Sequence, residues 1–525
     1  MPNASSYVLP FSTKDNIDRE RTVTIASYAL LLFLVGFTKT AWSYVNGRNG
    51  ISQKHISFQK PVWYSHKDPI FGLDVLWMCA TAVFQGRLLE VTRSMLYGAR
   101  KTVSYLFLGR QAVITSDPEN LKAMLAGNFH DFGIGETRKN SLRPLFGGAI
   151  FNSDGEIWQQ HRTILRPFAS RVRTQELLHF ENYFQHLIAT LPRDGCTIDI
   201  QQSFNSFTLD ISTAVFLGKS TNLLSSPSQS GQRFAAAFDH AQRALSGIDD
   251  YSLTSLVKNA IFGNDRLKTS LKEIHTFLDQ VLDQCMLEGP QDPTSQDSFF
   301  HTLTRQGRAR QDIKYDILNL VLAGKDTTAA YLSSIWYFLS QNPSTYARLR
   351  SEISVLNGQA PTKDDLNRFP FLSQTLKEVL RLQPPVAINQ RTAIRDTCLP
   401  HGAGSDGLSP MRIPRGASVG YSVYAMHRLP EYFGEDVDTF RPERWESIRP
   451  QWAFMPFHAG PRSCIGQQFA MALAKYSTIR MVQHFAAVED RNERPWEEKL
   501  GLNCSSKHGV NVGLVVDGER DCRVS

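Results

Sequence analysis

Several common signatures are missing from this 525-residue chain. Its seven cysteines (Cys79, Cys196, Cys285, Cys398, Cys464, Cys504 and Cys522) are scattered, odd in number and include no C-x-x-C pair. That argues against a disulfide framework and against zinc or dithiol chemistry, and it suits a reducing compartment. There is no dense Lys/Arg block with interleaved aromatics, and a net charge of +7 is mild over this length, so nucleic acid binding is not suggested. A P-loop, a G-x-S-x-G elbow and an H-E-x-x-H zinc helix are all absent. The run Gly402-Ala403-Gly404-Ser405-Asp406-Gly407 satisfies G-x-G-x-x-G on paper only. Pro400 precedes it and Pro410 follows, leaving no helix to receive a pyrophosphate, so it reads as a loop between strands. From about residue 85 onward no linker or repeat interrupts the chain; Ser225 to Gln232 is a local loop.

What is present begins with one uncharged run. Thr22 to Thr38 carries no charge for 17 residues, the short end for a membrane-spanning helix. Lys39, Trp42 and Tyr44 could extend it by snorkelling and interfacial anchoring. A polar lead of some twenty residues and the lack of an A-x-A site favour a retained anchor over a cleaved signal peptide. Basic residues tie on the two sides, so charge does not set the orientation. Residues 70–84 are apolar but short and broken by Asp74, which predicts a helix lying against the membrane or the core.

The chemistry centres on Phe457-His458-Ala459-Gly460-Pro461-Arg462-Ser463-Cys464-Ile465-Gly466. One cysteine stands between two glycines, just before a run in which Phe469, Leu473 and Tyr476 recur at helical spacing. Unpaired N–H groups at a helix start favour a thiolate, which is what a sulfur ligand to a metal requires. Gly460 permits a tight turn, and Gly466 permits the approach of a flat group. An arbitrary cysteine is more often a buried free thiol; the fixed positions around Cys464 argue otherwise.

The pattern Phe-x-x-Gly-x-Arg-x-Cys-x-Gly resembles the haem-binding signature of the cytochrome P-450 monooxygenases. The resemblance implies a mainly α fold with smaller β-sheets, haem b as cofactor, and Cys464 as axial ligand of its iron, with Phe457, Gly460, Arg462 and Gly466 framing the group. Three further motifs follow in the family's order. Trp158 and Arg162 lie four apart on a helical run and would bind a haem propionate. Ala323-Gly324-Lys325-Asp326-Thr327-Thr328, on a helix predicted over 312–341, resembles the family's oxygen-binding segment. There Gly324 would make room for dioxygen, and Asp326 with Thr327 would pass protons toward it, while Thr328 reads as a threonine back-bonded to a helix carbonyl. Glu378 and Arg381, with Arg444 some sixty residues later, imply a structural ion cluster on the cysteine side. Arg391, on a predicted strand after Pro384-Pro385, and Arg462 are further propionate partners.

Within the family the text looks most like the yeast and fungal alkane and fatty-acid hydroxylases. The resembling stretches include Thr115 to Asn120, Asp396 to Pro400, Tyr421 to Arg428 and Gly466 to Ala470. It departs from that branch at His458-Ala459, usually Asn-Gly, and at Ala387, usually proline. The expected organisation is a lumenal tail over 1–21, a single-pass anchor over 22–42 and a cytosolic monooxygenase over 43–525, at the endoplasmic reticulum. Asn3, in the sequon Asn3-Ala4-Ser5, then becomes a candidate for glycosylation. No flavin or nucleotide segment is left over, so electrons are expected from a separate NADPH-dependent reductase acting on a monomeric catalytic unit. Segments expected to face a lipophilic substrate are the loop Phe132 to Phe146, Leu322 to Ala323, Val386 to Asn389 and the turn Ser505 to His508. Hydroxylation of a fatty or alkyl chain is the first expectation, and tailoring of a polyketide or terpenoid the second. A haem-thiolate isomerase or peroxygenase, or a haem sensor without turnover, are the alternatives of other classes.

Overall fold

The longest run of helix-compatible residues builds the axis of the fold. Arg310–Gln341 forms one 32-residue helix, matching the predicted span to within two residues. Its apolar positions Ile317, Leu332, Ile335, Trp336 and Leu339 are wholly buried. Helix Ile200–Leu217 packs along it and contributes Phe204, Phe207 and Ile211 to the same core. The structure is a computed structural model and describes residues 59–96, 100–169, 174–246, 264–288 and 299–516. The uncharged run at Thr22 to Thr38 and the sequon at Asn3 lie outside them. Among the described residues, no helix is long and apolar enough to cross a membrane.

Helix Pro370–Leu382 starts on a proline, whose missing N–H costs nothing at that position, and ends where Pro384-Pro385 cannot continue it. Helix Gln467–His484 follows the cysteine loop. Its Phe469 and Tyr476 rings stand edge-on to Phe180 of helix Thr174–Thr190, at 5.4 and 5.8 Å. Helices dominate, and the strands are few and short, as the expected fold class requires.

The largest sheet has five strands in the order Thr102–Phe107, Arg110–Thr115, Ser418–Ser422, Ile388–Ala393 and Phe132–Gly133. Only the pair Arg110–Thr115 with Ser418–Ser422 is parallel; the other neighbours are antiparallel. Arg391 therefore sits on a strand, as predicted, between strands from distant parts of the chain. The glycine-rich run at 402–407 closes the hairpin between Thr397–Ala403 and Ser409–Ile413, with the Gly402 N–H donating to Gly407 O at 2.8 Å.

Two predicted segments take a different or more definite form. Residues 70–84 become helix Leu73–Gln85, whose Trp77 and Phe84 side chains are 74% and 85% exposed. Phe132 to Phe146, expected as a loop, is a short strand followed by helix Glu136–Phe146. Gly135, at φ +85°, makes the turn into that helix. Asn152 Nδ2 braces it from outside by donating to the Lys139 and Gly147 carbonyls, both at 2.8 Å.

Candidate functional site

The cysteine loop is fixed by its own backbone. Cys464 N–H donates to Phe457 O at 2.9 Å, Ser463 N–H to Gly460 O at 3.0 Å, and His458 N–H to Met455 O at 3.0 Å. Gly460 adopts φ +72°, and a Cβ built there would fall 1.9 Å from Leu125 O. Glycine is thus required twice over, by conformation and by contact. Gly466 differs. A Cβ there would meet only Cys464 Sγ, at 3.9 Å, so it would project into the space beside the sulfur.

The Cys464 side chain is accessible on that face. Protein on its other sides pushes the thiol pKa up through desolvation, against the Gly466 N–H and the Arg162 charge, which pull it down. A metal ion held there would deprotonate the thiol that ligates it.

Cations converge beside this loop. Helix Gly155–Ala169 carries Trp158, 7% exposed, and Arg162, whose NH1 donates to Ser463 O at 2.9 Å. Arg462 stacks on the Trp158 ring at 4.4 Å and donates from NH2 to Ser153 O at 3.0 Å and Asp154 Oδ1 at 2.5 Å. Its Nε is buried with no partner. Burial pushes Arg462 down to about 10, with Asp154 opposing and Arg391, Arg138 and Arg162 adding to the shift. Arg391, 7% exposed, spends one N–H on the Gln390 carbonyl at 2.8 Å.

Arg138 was not among the residues the sequence singled out. It extends from helix Glu136–Phe146 and donates to Asn389 Oδ1 at 3.1 Å, and burial with Arg391 nearby lowers its pKa. The signal available was a charged residue inside a stretch expected to face a lipophilic substrate. His458 lies in the same cluster, 3.4 Å from both Asn389 Nδ2 and the Tyr421 hydroxyl. Burial, with Arg391 and Arg138 close by, lowers its pKa to about 3 and keeps it neutral.

These residues fit a flat, dianionic macrocycle whose iron takes a sulfur ligand. An orphaned guanidinium nitrogen, a surplus of arginine over carboxylate, an accessible thiol and a glycine where a Cβ would intrude are the features such a group needs. Trp158, Arg162, Arg391, Arg462 and Arg138 would hold its carboxylates, and Cys464 its iron. Haem bound there supplies oxygen activation, which thiolate ligation promotes by favouring O–O cleavage. The chain's own contribution is position, charge balance and proton supply.

On the long helix, Leu322, Ala323, Asp326 and Thr327 form a half-exposed face in an otherwise buried stretch. Thr327 Oγ1 donates to Ala323 O at 2.7 Å, whereas the Thr328 hydroxyl is buried and unpartnered. The back-bonded threonine is thus Thr327, the reverse of the expectation. Asp326 Oδ1 accepts from Lys325 Nζ at 2.6 Å, and its Oδ2 is buried without a partner. Lys325, 3% exposed, also pairs with Asp239 of helix Gln229–Ser246. Burial disfavours its charge, but the two carboxylates prevail and raise its pKa.

Gly324 faces a neighbouring helix. A Cβ there would stand 2.7 Å from Ser212 Oγ and 3.2 Å from the Phe216 ring. Its missing side chain lets helix Ile200–Leu217 approach. The gain that offsets glycine's helix penalty is helix–helix packing.

Glu378, Arg381 and Arg444 form the predicted cluster, and it is buried rather than a solvated face, at 0%, 0% and 2% exposure. Arg381 grips Glu378 with Nε and NH2 at 2.9 and 2.8 Å. Arg444 Nε, Trp445 Nε1 and Arg441 N–H reach the same carboxylate at 2.8, 3.0 and 3.0 Å. Arg381 also donates to the carbonyls of His427, Val437 and Thr439. His427 accepts from Met455 N–H at 2.9 Å, which ties the cluster to the segment entering the cysteine loop.

A mainly helical fold, an accessible cysteine on a glycine-framed loop and a cationic cradle beside it define the haem-thiolate class. Comparison with known proteins agrees. The sequence pattern of the family Cytochrome P450 matches residues 77–509, and the chain belongs to that family. It is 34% identical over 471 residues to Cytochrome P450 monooxygenase FPY7 of Fusarium mangiferae, covering 85% of this chain and 88% of that one. It is 33% identical over 506 residues to Cytochrome P450 monooxygenase himC of Aspergillus japonicus, covering 94% and 90%. With Cytochrome P450 52A13 of Debaryomyces hansenii it shares 34% over 470 residues, covering 85% and 89%.

Proposed function

We propose that this P450 monooxygenase inserts one oxygen atom from O2 into a lipophilic substrate, with hydroxylation of a fatty or alkyl chain as its principal reaction. The observation that carries the reaction type is the accessible Cys464 thiol on its glycine-framed loop, flanked by arginines in excess of carboxylates. The chain type of the substrate is supported by the resemblance to the fungal hydroxylase branch and by the apolar lining expected at Leu322, Ala323 and Ala387. Asp326, with one buried free oxygen, and Thr327 are the proposed proton-handling pair.

His458 favours a second reading. A neutral imidazole beside Asn389, in the segment expected to face substrate, offers a polar contact that a plain alkyl chain does not use. Tailoring of an oxygenated polyketide or terpenoid is consistent with it. Electrons are supplied by a separate NADPH-dependent reductase. Apposition to a membrane, through Trp77 and Phe84 on the exposed face of Leu73–Gln85, accompanies the anchor read at 22–42.

The test is a spectral titration of the ferric protein against fatty acids, alkanes and polycyclic metabolites, followed by NADPH oxidation with added reductase. Fatty-chain ligands are expected to shift the Soret band and accelerate NADPH use. A response confined to polycyclic ligands would support the second reading. Turnover without NADPH or reductase would overturn the monooxygenase account.

A further inference from the structure

Among the cations around the cysteine loop stands one carboxylate, Asp154, which no motif singled out. It precedes helix Gly155–Ala169, and its carbonyl meets the Trp158 N–H at 3.5 Å. Its side chain gathers three other segments. Arg462 of the cysteine loop donates to Oδ1 at 2.5 Å. Lys139, next to Arg138 on helix Glu136–Phe146, approaches Oδ2 at 3.1 Å. The Ile134 N–H donates to both oxygens at 3.2 and 3.3 Å. Ile134 follows strand Phe132–Gly133, which pairs with the strand bearing Arg391. One side chain at the start of helix Gly155–Ala169 therefore joins the cysteine loop, helix Glu136–Phe146 and Ile134, and strand Ile388–Ala393 lies one step further, across the pairing of Phe132–Gly133.

The surroundings are shaped to admit it. A Cβ on Gly133 would lie 2.8 Å from Asp154 Oδ2, so the strand must be bare at that point. The side chain is 24% exposed, partly shielded, and Arg462 opposite it is 9% exposed. Their bond is charge-assisted, and it leaves the Arg462 guanidinium 4.4 Å over the Trp158 ring with its Nε unspent. Four buried or half-buried arginines without this carboxylate would repel one another and drift from a single arrangement.

We propose that Asp154 is a positioning residue of the haem site: it holds Arg462 against Trp158 so that the remaining guanidinium N–H groups are presented to a haem carboxylate. This rests on the P450 reading of the site and specifies one residue's role in it. Asp154 acts through Arg462, so the two should be coupled.

The experiment measures haem loss from the holoprotein, by transfer to excess apomyoglobin, for Asp154→Asn, Arg462→Gln and the double variant. Asp154→Asn is expected to speed haem loss about tenfold when Arg462 is present, and by under about twofold when it is absent, because partners in one network are not additive. Asp154→Glu, which keeps the charge, is expected to recover most of the wild-type rate. Should Asp154→Asn alone yield no holoprotein, the double variant carries the test. It must lose haem within about twofold of Arg462→Gln, since removing both members of a buried pair costs less than removing one. Equal acceleration in both backgrounds, or none in either, would overturn the proposal. A loss of the ferrous–CO spectrum in Arg462→Gln and wild type alike would instead refute the P450 reading beneath it.

Discussion

Replacing Glu378 with glutamine removes one charge and almost no volume, and it tests what the buried ion cluster contributes. Five donors converge on that carboxylate: Arg381 through two nitrogens, Arg444, the Trp445 indole and the Arg441 backbone. Glutamine can accept at one atom only, and its NH2 group would point a donor at donors. Arg444 retains Asp436 at 3.1 Å as a counter-charge, but Arg381 has no second carboxylate among the ion pairs of the described residues. Breaking a buried pair from one side costs about 3–5 kcal/mol, against a total stability of about 5–15 kcal/mol for a folded protein. Glu378→Gln should therefore lower the urea midpoint sharply and reduce the yield of holoprotein, with the spectrum of the surviving fraction unchanged. A loss under about 1 kcal/mol would place the cluster among ordinary surface pairs and refute the reasoning.

Thr327→Ala is expected to retain haem but divert reducing equivalents to hydrogen peroxide, read as peroxide formed per NADPH oxidised; full coupling would remove Thr327 from proton delivery. Gly324→Ala should destabilise by about 1–3 kcal/mol through overpacking. Ser212→Ala should relieve most of it, because the hydroxyl at 2.7 Å is the nearest obstacle while Ser212 Cβ stands at 3.5 Å. His427, wholly buried, has its pKa lowered from 6.5 to about 3, by burial first and then by Arg381. Its folded pKa lies below its unfolded one, so between pH 6.5 and 3 the unfolded chain binds the extra proton and stability falls as pH falls. The expected slope is up to about 1.4 kcal/mol per pH unit, lost in His427→Gln; an unchanged slope in the variant would assign the acid sensitivity elsewhere.

The parts of this protein that were legible in the sequence are those where one residue type meets one local requirement. Pro384-Pro385 end a helix because proline's backbone permits little else. Gly460 marks a turn, and its neighbours in Phe-x-x-Gly-x-Arg-x-Cys-x-Gly locate the ligand loop. The long helix shows in its apolar stripe. Contacts between remote segments were not legible. Gly324 stands in a motif, but its close neighbour Ser212 lies on another helix, and no motif pairs the two. Thr327 and Thr328 are adjacent and chemically alike; which of them bonds back to the helix depends on what each faces. Arg138 and Asp154 carry no motif at all, and only the folded chain brings them to Arg391 and Arg462.

The central claim is that Cys464, alone among the cysteines, ligates haem iron. The direct measurement is the ferrous–CO difference spectrum of Cys464→Ser beside wild type, at matched haem content. Wild type is expected to show the long-wavelength Soret band of thiolate ligation, and Cys464→Ser to lose it while Cys285→Ser and Cys504→Ser keep it. An unchanged band in Cys464→Ser would contradict the account.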